Sequence, residues 1–390
     1  MKKITLGCLL VISMLCSYHV AAQRLNPSNI RISLLTVAPG EELYYVFGHN
    51  GVRVTIDSLG YDVVYNYGTF DFNQPNFYAN FARGRMLYRL SVSTYDGFIA
   101  EYMYENRGVR EQVFALDSAQ TMFVMRFLQN NYLPENRYYR YHFFLDNCAT
   151  RIRDLLLQTF DGMDVPVSES SPTYRNLIHL YLKDHPWSRF GIDIALGLPT
   201  DQKTNVFEQM FLPDNMFDTF ARVLYRGHPV VQETKNIFIP DQPAIKPPGP
   251  ITPTVVCFFV LVLAILVSGL TSLRAAPFGF RVSKIFDFTL FFTVGLVGLL
   301  VTFLWFFTDH TNTQNNLNII WALPTHVVMA FFLLPKHRNS FTRNYFLATA
   351  IISMLLLATW IFLPQRLNPS LIPLVFAVAL RAFRIFRMSK

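Results

Sequence analysis

The rhythm of apolar and polar positions changes twice along this chain of 390 residues. An apolar stretch over residues 4–14 follows Lys2 and Lys3, and a mixed region then runs to about residue 250. Within it, short β-rich runs at 51–56 and 62–67 are joined by Ser58-Leu59-Gly60, a hairpin signal. A short helix is expected at 75–81 with Pro75 near its start. Strands are expected at 86–92 and 109–116. Thr94 is placed to cap a helix running to Glu105, and Asp117 to cap one running to about Asn130. Met122, Phe123, Met125, Phe127 and Leu128 give that second helix its apolar surface. Residues 138–144 are aromatic and strand-like, after which Asp146 or Asn147 caps a helix over 148–159. Strands and helices mixed in this way predict an α+β domain.

From Thr252 onward continuous apolar runs take over. Candidate spans are 252–270, 288–307, 318–334, 345–363 and 370–386, each near the length that crosses a bilayer core. The last carries Arg381 and Arg384, placed to snorkel from a helix end, and a surface helix is its other reading. Between the two regions, residues 241–251 are rich in proline (Pro243, Pro247, Pro248 and Pro250) and read as an extended, semi-rigid linker.

Composition supports this division. Only 15% of residues are charged, against roughly 25% in soluble domains, and 52% are hydrophobic. That excludes a disordered chain and argues against a single soluble globule. The net charge of +8 raises the question of nucleic acid, but its location answers it. Residues 23–250 are net −3, the two N-terminal lysines give +2, and residues after 250 are net +9. The basic loops alternate. Arg274, Arg281 and Lys284 follow the first span, and Lys336, Arg338 and Arg343 follow the third. Residues 308–317 hold no Lys or Arg, only Arg366 follows the fourth span, and Arg387 and Lys390 end the chain. The positive-inside rule therefore places the N-terminal domain outside, and the excess charge reads as a topology signal with no nucleic-acid partner. The N-terminus agrees. Lys2 and Lys3, the apolar run, and small Val20 and Ala22 before Gln23 form a secretory signal over residues 1–22. The expected organisation is a signal peptide (1–22), an exported domain (23–240), a linker (241–251) and a membrane domain (252–390).

Of four cysteines, Cys8 and Cys16 leave with the signal and Cys257 lies in an apolar run. Cys148 is alone in the exported domain, so a structural disulfide is excluded there, and an unpaired exported thiol needs a reason. It opens a predicted helix, where free N–H groups and the positive end of the dipole lower a thiol pKa and favour the nucleophilic thiolate. The same groups suit an oxyanion. The packing alternative is a small residue at a helix start.

A nucleophilic thiol needs a base. His49 opens the first hairpin strand. With the turn centred near Leu59–Gly60, Arg53 is expected opposite Asn66, so that His49, Gly51 and Arg53 share a face with Asn66 and Gly68. An amide there can hold the imidazole in one tautomer, as the third member of a triad; a slip of one residue would present Tyr65 or Tyr67 instead. His142 precedes Cys148 closely, but a strand-surface histidine is its commoner fate, and His185 reads as a loop residue. The spacings do not suit zinc, and no cofactor is implied. Arg53, Asn147 and Arg151 are the candidate substrate-binding residues, Arg151 and Arg153 being placed to pair with phosphate or to form a solvated helix face.

Three further features stand out. The polar stretch Asn312, Gln314, Asn315, Asn316 and Asn318 reads as a solvated connector, or else as a substrate surface below the exported domain. His326, within Pro324-Thr325-His326, is an intramembrane histidine with either a functional or a structural reading. Asp193-Ile194-Ala195-Leu196-Gly197 reads as a helix end with a glycine C-cap and a packing role.

The order of these motifs, histidine first and cysteine second, resembles the permuted papain-like superfamily. Lecithin–retinol acyltransferases (LRAT) and related enzymes carry an H-x-G-I-Y-L strand, a polar residue one strand later, and N-C. Here His49-Asn50-Gly51-Val52-Arg53-Val54, Asn66 and Asn147-Cys148 fall in matching places, with Asn66 where that group usually has a second histidine. The whole-chain pattern is closer to another group. Gly48-His49-Asn50-Gly51-Val52-Arg53, Asp146-Asn147-Cys148-Ala149-Thr150-Arg151-Ile152-Arg153-Asp154 and Asp193-Ile194-Ala195-Leu196-Gly197 resemble the Lnb family, the lipoprotein N-acyltransferases of Bacteroidota. The resemblance covers nearly the full mature chain. It implies an α+β permuted papain-like (NlpC/LRAT-like) periplasmic domain followed by an all-α transmembrane domain of about five helices, held in the inner membrane as a multi-pass protein. It also implies transfer of a fatty acyl chain from a phospholipid donor to the α-amino group of a diacylated lipoprotein, with Cys148 as nucleophile, His49 as base and Asn66 as orienter. Two rivals are a membrane-anchored cysteine peptidase or amidase acting on cell-wall peptide, since NlpC-type hydrolases share the superfamily, and a non-catalytic assembly protein.

Overall fold

A computed structural model describes residues 26–70, 74–166, 171–241, 247–272, 276–335 and 339–387. The expected signal segment, part of the linker (242–246), and the loop cations Arg274, Lys336, Arg338 and Lys390 lie outside the described residues.

Among the described residues the N-terminal domain has nine strands: β1 (Ile30–Val37), β2 (His49–Ile56), β3 (Tyr61–Thr69), β4 (Leu87–Thr94), β5 (Val109–Phe114), β6 (Tyr138–Arg140), β7 (Leu224–Tyr225), β8 (His228–Pro229) and β9 (Val231–Phe238). Seven form one antiparallel sheet in the order β6-β4-β3-β2-β1-β5-β9, while β7 and β8 pair separately. The helices here are α1 (Phe77–Ala82), α2 (Tyr95–Tyr104), α3 (Ser118–Tyr132), α4 (Cys148–Thr159), α5 (Tyr174–Tyr181), α6 (Pro186–Ala195), α7 (Val206–Gln209) and α8 (Pro213–Phe220). Both faces of the sheet are covered. Ile32, Leu34, Val52 and Val54 pack with Val124 and Leu128 of α3 and with Ile152, Leu155 and Leu156 of α4. On the other face Leu35, Val37, Val64 and Val109 pack with Phe98 and Tyr102 of α2. Each fully buried side chain of this kind contributes about 1.5–3 kcal/mol, so α4 is anchored firmly beneath its first residue, Cys148.

The caps fall where side-chain chemistry put them. Thr94 accepts from Gly97 N–H and opens α2, and Asp117 forms a reciprocal capping box with Gln120 at α3. The strand expected over 138–144 is shorter, because His142–Asp146 folds into a tight turn that delivers the chain to α4. The hairpin register is also corrected. Arg53 pairs with Val64, not Asn66. The 3₁₀ turn Asp57–Leu59, closed by Gly60 at φ 60°, centres the connection one residue earlier than expected. That moves the register by two residues and preserves the faces. Neither β1 nor β9 was expected from the sequence.

The C-terminal region comprises α9 (Pro253–Ser272), α10 (Ala276–Phe306), α11 (His326–Phe331), α12 (Ser340–Thr359) and α13 (Leu371–Arg387). Among the described residues three helical segments are long and apolar enough to cross a membrane: Pro253–Leu270, Gly279–Phe306 and Ser340–Phe362. The span expected over 318–334 is not one helix. A 3₁₀ turn, Leu317–Ile320, and the six-residue α11 are separated by Pro324, whose ring and missing N–H interrupt a helical ladder. This broken segment lies hard against α10. A Cβ on Gly295 would stand 2.4 Å from Val327 N, and one on Gly298 2.1 Å from Ala322 O, the close backbone approach that small residues permit. In α13, Arg381 does not snorkel. It is fully buried, bonded to Asp287 (2.7 Å), Ser268 (2.7 Å) and Ser283 (2.6 Å). Burying a guanidinium is costly unless partners of this kind satisfy its donors.

The two regions are tied together through the loops between the spans. Arg175 and Asp193 form a buried ion pair (2.9 Å), and the other carboxylate oxygen of Asp193 accepts from Asn368 Nδ2 (2.9 Å). Asn316 and Asn318 donate to the carbonyls of Ile194 (2.8 Å) and Asp193 (3.0 Å). Both asparagines are fully buried, so the polar loop is an inter-domain joint and not a solvated connector. Gly197, expected as a left-handed C-cap, has φ −92°. Its role is proximity, because a Cβ there would lie 1.9 Å from Gln314 O.

Candidate active site

Cys148 is the first residue of α4. Asn147 caps that helix by accepting from Thr150 N–H (2.9 Å), while the Thr150 hydroxyl accepts from Asn147 N–H (2.7 Å). The Asn147 amide also donates to the carbonyls of Phe143 (2.9 Å) and Phe211 (2.8 Å). This fastens the helix start, and with it the thiol. At the start of β2, His49 contacts the thiol, and its Nε2 stands 2.5 Å from Asn66 Oδ1 on β3. A carbonyl oxygen only accepts, so Nε2 carries the ring proton. Nδ1 is then the ring nitrogen left for the sulfur. The His49 ring also lies over Tyr102, with centroids 6.4 Å apart.

Burial alone would raise the Cys148 pKa. The His49 imidazole and the N–H groups of Asn50 and Ala149 outweigh it and hold the thiol below the ordinary cysteine value. For His49 burial acts downward, and the sulfur followed by Asn66 outweighs it, so the imidazole is raised. The two opposed shifts favour a thiolate–imidazolium pair. The helix N-terminus supplies donors here, since no intrahelical carbonyl reaches the first N–H groups.

Gly68, at the end of β3, makes room for this contact. Its φ is +89°, and a Cβ would lie 3.5 Å from Cys148 Cβ and 3.9 Å from His49 Cε1. The sequence placed Gly68 on the His49 face. It gave no sign of the left-handed backbone, which belongs to the irregular pairing between Asn66 and Thr69.

Other candidates are engaged elsewhere. Arg53 is bonded to Asp62 (2.6 Å) and Glu111 (3.1 Å) and lies over the Tyr95 ring. Arg151 makes a two-pronged pair with Asp146 (2.6 and 2.8 Å) and stacks on Tyr139. Asn147 is spent on the cap. His142 bonds Thr311 (2.9 Å) on the loop after α10 and accepts from Leu145 N–H. His179 bonds Asp193 (2.8 Å). Buried His326 is hydrogen-bonded through Nδ1 to the Tyr345 hydroxyl (2.6 Å) within the membrane region. Among the described residues no cluster of His, Cys, Asp or Glu is arranged to hold a metal ion.

The His142 contact matters for position. The turn that leads into Cys148 rests on the loop joining α10 to the broken segment. No curated protein and no solved structure matches the chain. Two family models do: the Lnb N-terminal periplasmic domain over residues 17–179 and the Lnb transmembrane domain over residues 245–390. The chain therefore belongs to the Lnb family, as a membrane protein that joins a periplasmic enzyme domain to a transmembrane domain.

Proposed function

We propose that this protein is a lipoprotein N-acyltransferase of the inner membrane that works through a thioester on Cys148, on a permuted papain-like fold. The observation that carries the reading is the contact series Cys148–His49–Asn66 at a helix N-terminus, with the thiol held low and the imidazole high. A thiolate at neutral pH is a strong acyl acceptor.

In the first half-reaction the Cys148 sulfur attacks an ester carbonyl of a phospholipid. A C–S bond forms, and the ester C–O bond breaks. The departing alkoxide takes the proton of the His49 imidazolium, giving a lysophospholipid. In the second, the α-amino group of a diacylglyceryl-cysteine N-terminus attacks the thioester. A C–N bond forms and the C–S bond breaks. His49 receives the amine proton and the thiolate is restored. Asn66 keeps Nδ1 toward the reacting atoms throughout. The helix N–H groups face the tetrahedral oxyanion.

Membrane anchoring fits both substrates, which are lipids held at a bilayer surface. In cells without another copy, Cys148→Ala or His49→Ala should leave lipoproteins diacylated, read by mass spectrometry of a lipoprotein N-terminal peptide. Normal triacyl lipoproteins made by Cys148→Ala would overturn the proposal.

A further inference from the structure

The outer end of α10 and the chain after α1 enclose a groove of about 550 Å³, lined by Arg83, Arg85, Leu299, Thr302, Phe303 and Phe307. Its volume lies within the roughly 300–1,000 Å³ of small-molecule sites. Leu299, Phe303 and Phe307 recur every four residues, so they form one stripe along the end of a helix long enough to cross a membrane and the turn that follows it. They are 45%, 38% and 68% exposed. Arg85 shares Asp309 (2.9 Å) with the more distant Arg140 (3.7 Å). Arg83 is exposed and has no ion pair among the described residues. Two guanidinium groups thus share one carboxylate at the level where an apolar helix ends, with exposed Arg83 beside them.

An aromatic track leads from this groove toward the thiol. Arg83 caps the end of α1, whose Phe77 lies 6.2 Å from Phe70. Phe70 lies 5.3 Å from Tyr88, and Tyr88 stacks on Tyr141 at 4.2 Å. Tyr88 and Tyr141 both pack against the core cluster that contains Cys148.

We propose that this groove seats the glycerophospholipid donor, its phosphodiester on Arg83 and Arg85 and an acyl chain along Leu299, Phe303 and Phe307. The charge is complementary to a phosphodiester, and the apolar stripe continues into the hydrocarbon layer that supplies the lipid. The aromatic track gives the ester carbonyl an apolar route to Cys148. This inference rests on the thioester reading for its purpose, but the groove is tested separately.

The test uses the full chain in lipid nanodiscs with a phosphatidylethanolamine carrying a diazirine in one acyl chain. Photolabelling is mapped by peptide mass spectrometry, and Cys148 acylation is followed from phosphatidylethanolamine and from p-nitrophenyl octanoate. The expected result is label within residues 299–307. Arg83→Glu should cut that label and lower the phospholipid-to-octanoate acylation ratio about tenfold, the scale of one lost charge-assisted hydrogen bond. Thr302→Trp, which fills the groove without touching the arginines, should do the same. Label elsewhere, or label and ratio unchanged in both variants, would overturn the groove. Label in the groove that both variants abolish, without acylation of Cys148 from either donor, would uphold the groove and sink the thioester reading.

Discussion

Replacing Asp193 by alanine should weaken the joint between the two regions more than any other single change outside the candidate site. Its carboxylate meets Arg175 (2.9 Å), His179 (2.8 Å) and, across the joint, Asn368 (2.9 Å). Removing one partner of a buried ion pair costs about 3–5 kcal/mol. Arg175 keeps Asp201 at 2.9 Å, which argues for the lower end. Asn368 is left buried without its acceptor, at a further cost of about 1 kcal/mol. The expected loss is therefore about 4 kcal/mol, or roughly 8–16 °C in Tm for a domain of this size. Intrinsic-fluorescence melting of the full chain in detergent reads it directly. Asp184→Ala, at an exposed position on the same domain, should change little. A double-mutant cycle with Asn368→Ala should give a coupling of at least about 0.5 kcal/mol. The pH dependence has a defined sign. Burial works against the Asp193 carboxylate, but His179 and Arg175 hold its pKa below the usual value. Its contribution is thus complete above the unfolded value of about 3.9 and is lost only as pH falls through the depressed native one. A Tm change below about 3 °C for Asp193→Ala, or a cycle without coupling, would refute this account of the joint.

Three further outcomes follow from the site and its support. Iodoacetamide should alkylate Cys148 with a pH midpoint below the ordinary thiol value of about 8.5, and His49→Ala should move that midpoint upward; an unchanged midpoint would show that the imidazole does not set the thiol. Gly68→Ala forces a side chain onto a backbone at φ +89° beside Cys148, a strain of about 1–2 kcal/mol, so Cys148 acylation should fall about tenfold while Tm moves by only a few degrees. Gly197→Ala places a methyl group against Gln314 O, and limited proteolysis should then release the N-terminal domain faster than in the wild type.

The elements legible in the sequence were those whose signals are local. Thr94, Asp117 and Asn147 announce helix starts because a side chain bonds a backbone N–H three residues on. The pairing of His49 with Asn66 survived a wrong turn centre, because the error was an even number of residues. What could not be read depended on distant partners. β1 and β9 both pair with β5, far from each of them along the chain. The lipid-facing helices were visible by apolar length, whereas the 318–334 segment, equally apolar, folds around Gly295 and Gly298 and the buried ends of Asn316 and Asn318. Arg381 looked like a helix-end cation because its partner Asp287 lies 94 residues away. Arg53 and Arg151 looked available for substrate because sequence spacing does not show which nearby carboxylates turn toward them, and Asp62, Glu111 and Asp146 hold them.

The central claim is that Cys148 carries the acyl group. Full-chain protein incubated with palmitoyl-oleoyl phosphatidylethanolamine in nanodiscs, quenched in acid and digested, gives a peptide containing Cys148 whose mass can be read. The account predicts a fatty acyl adduct on that peptide. It should be removed by hydroxylamine at neutral pH, discharged by a synthetic diacylglyceryl-cysteine peptide, and absent from His49→Ala. An acyl group found on another residue, or N-acylated peptide formed at the normal rate by Cys148→Ala, would contradict it.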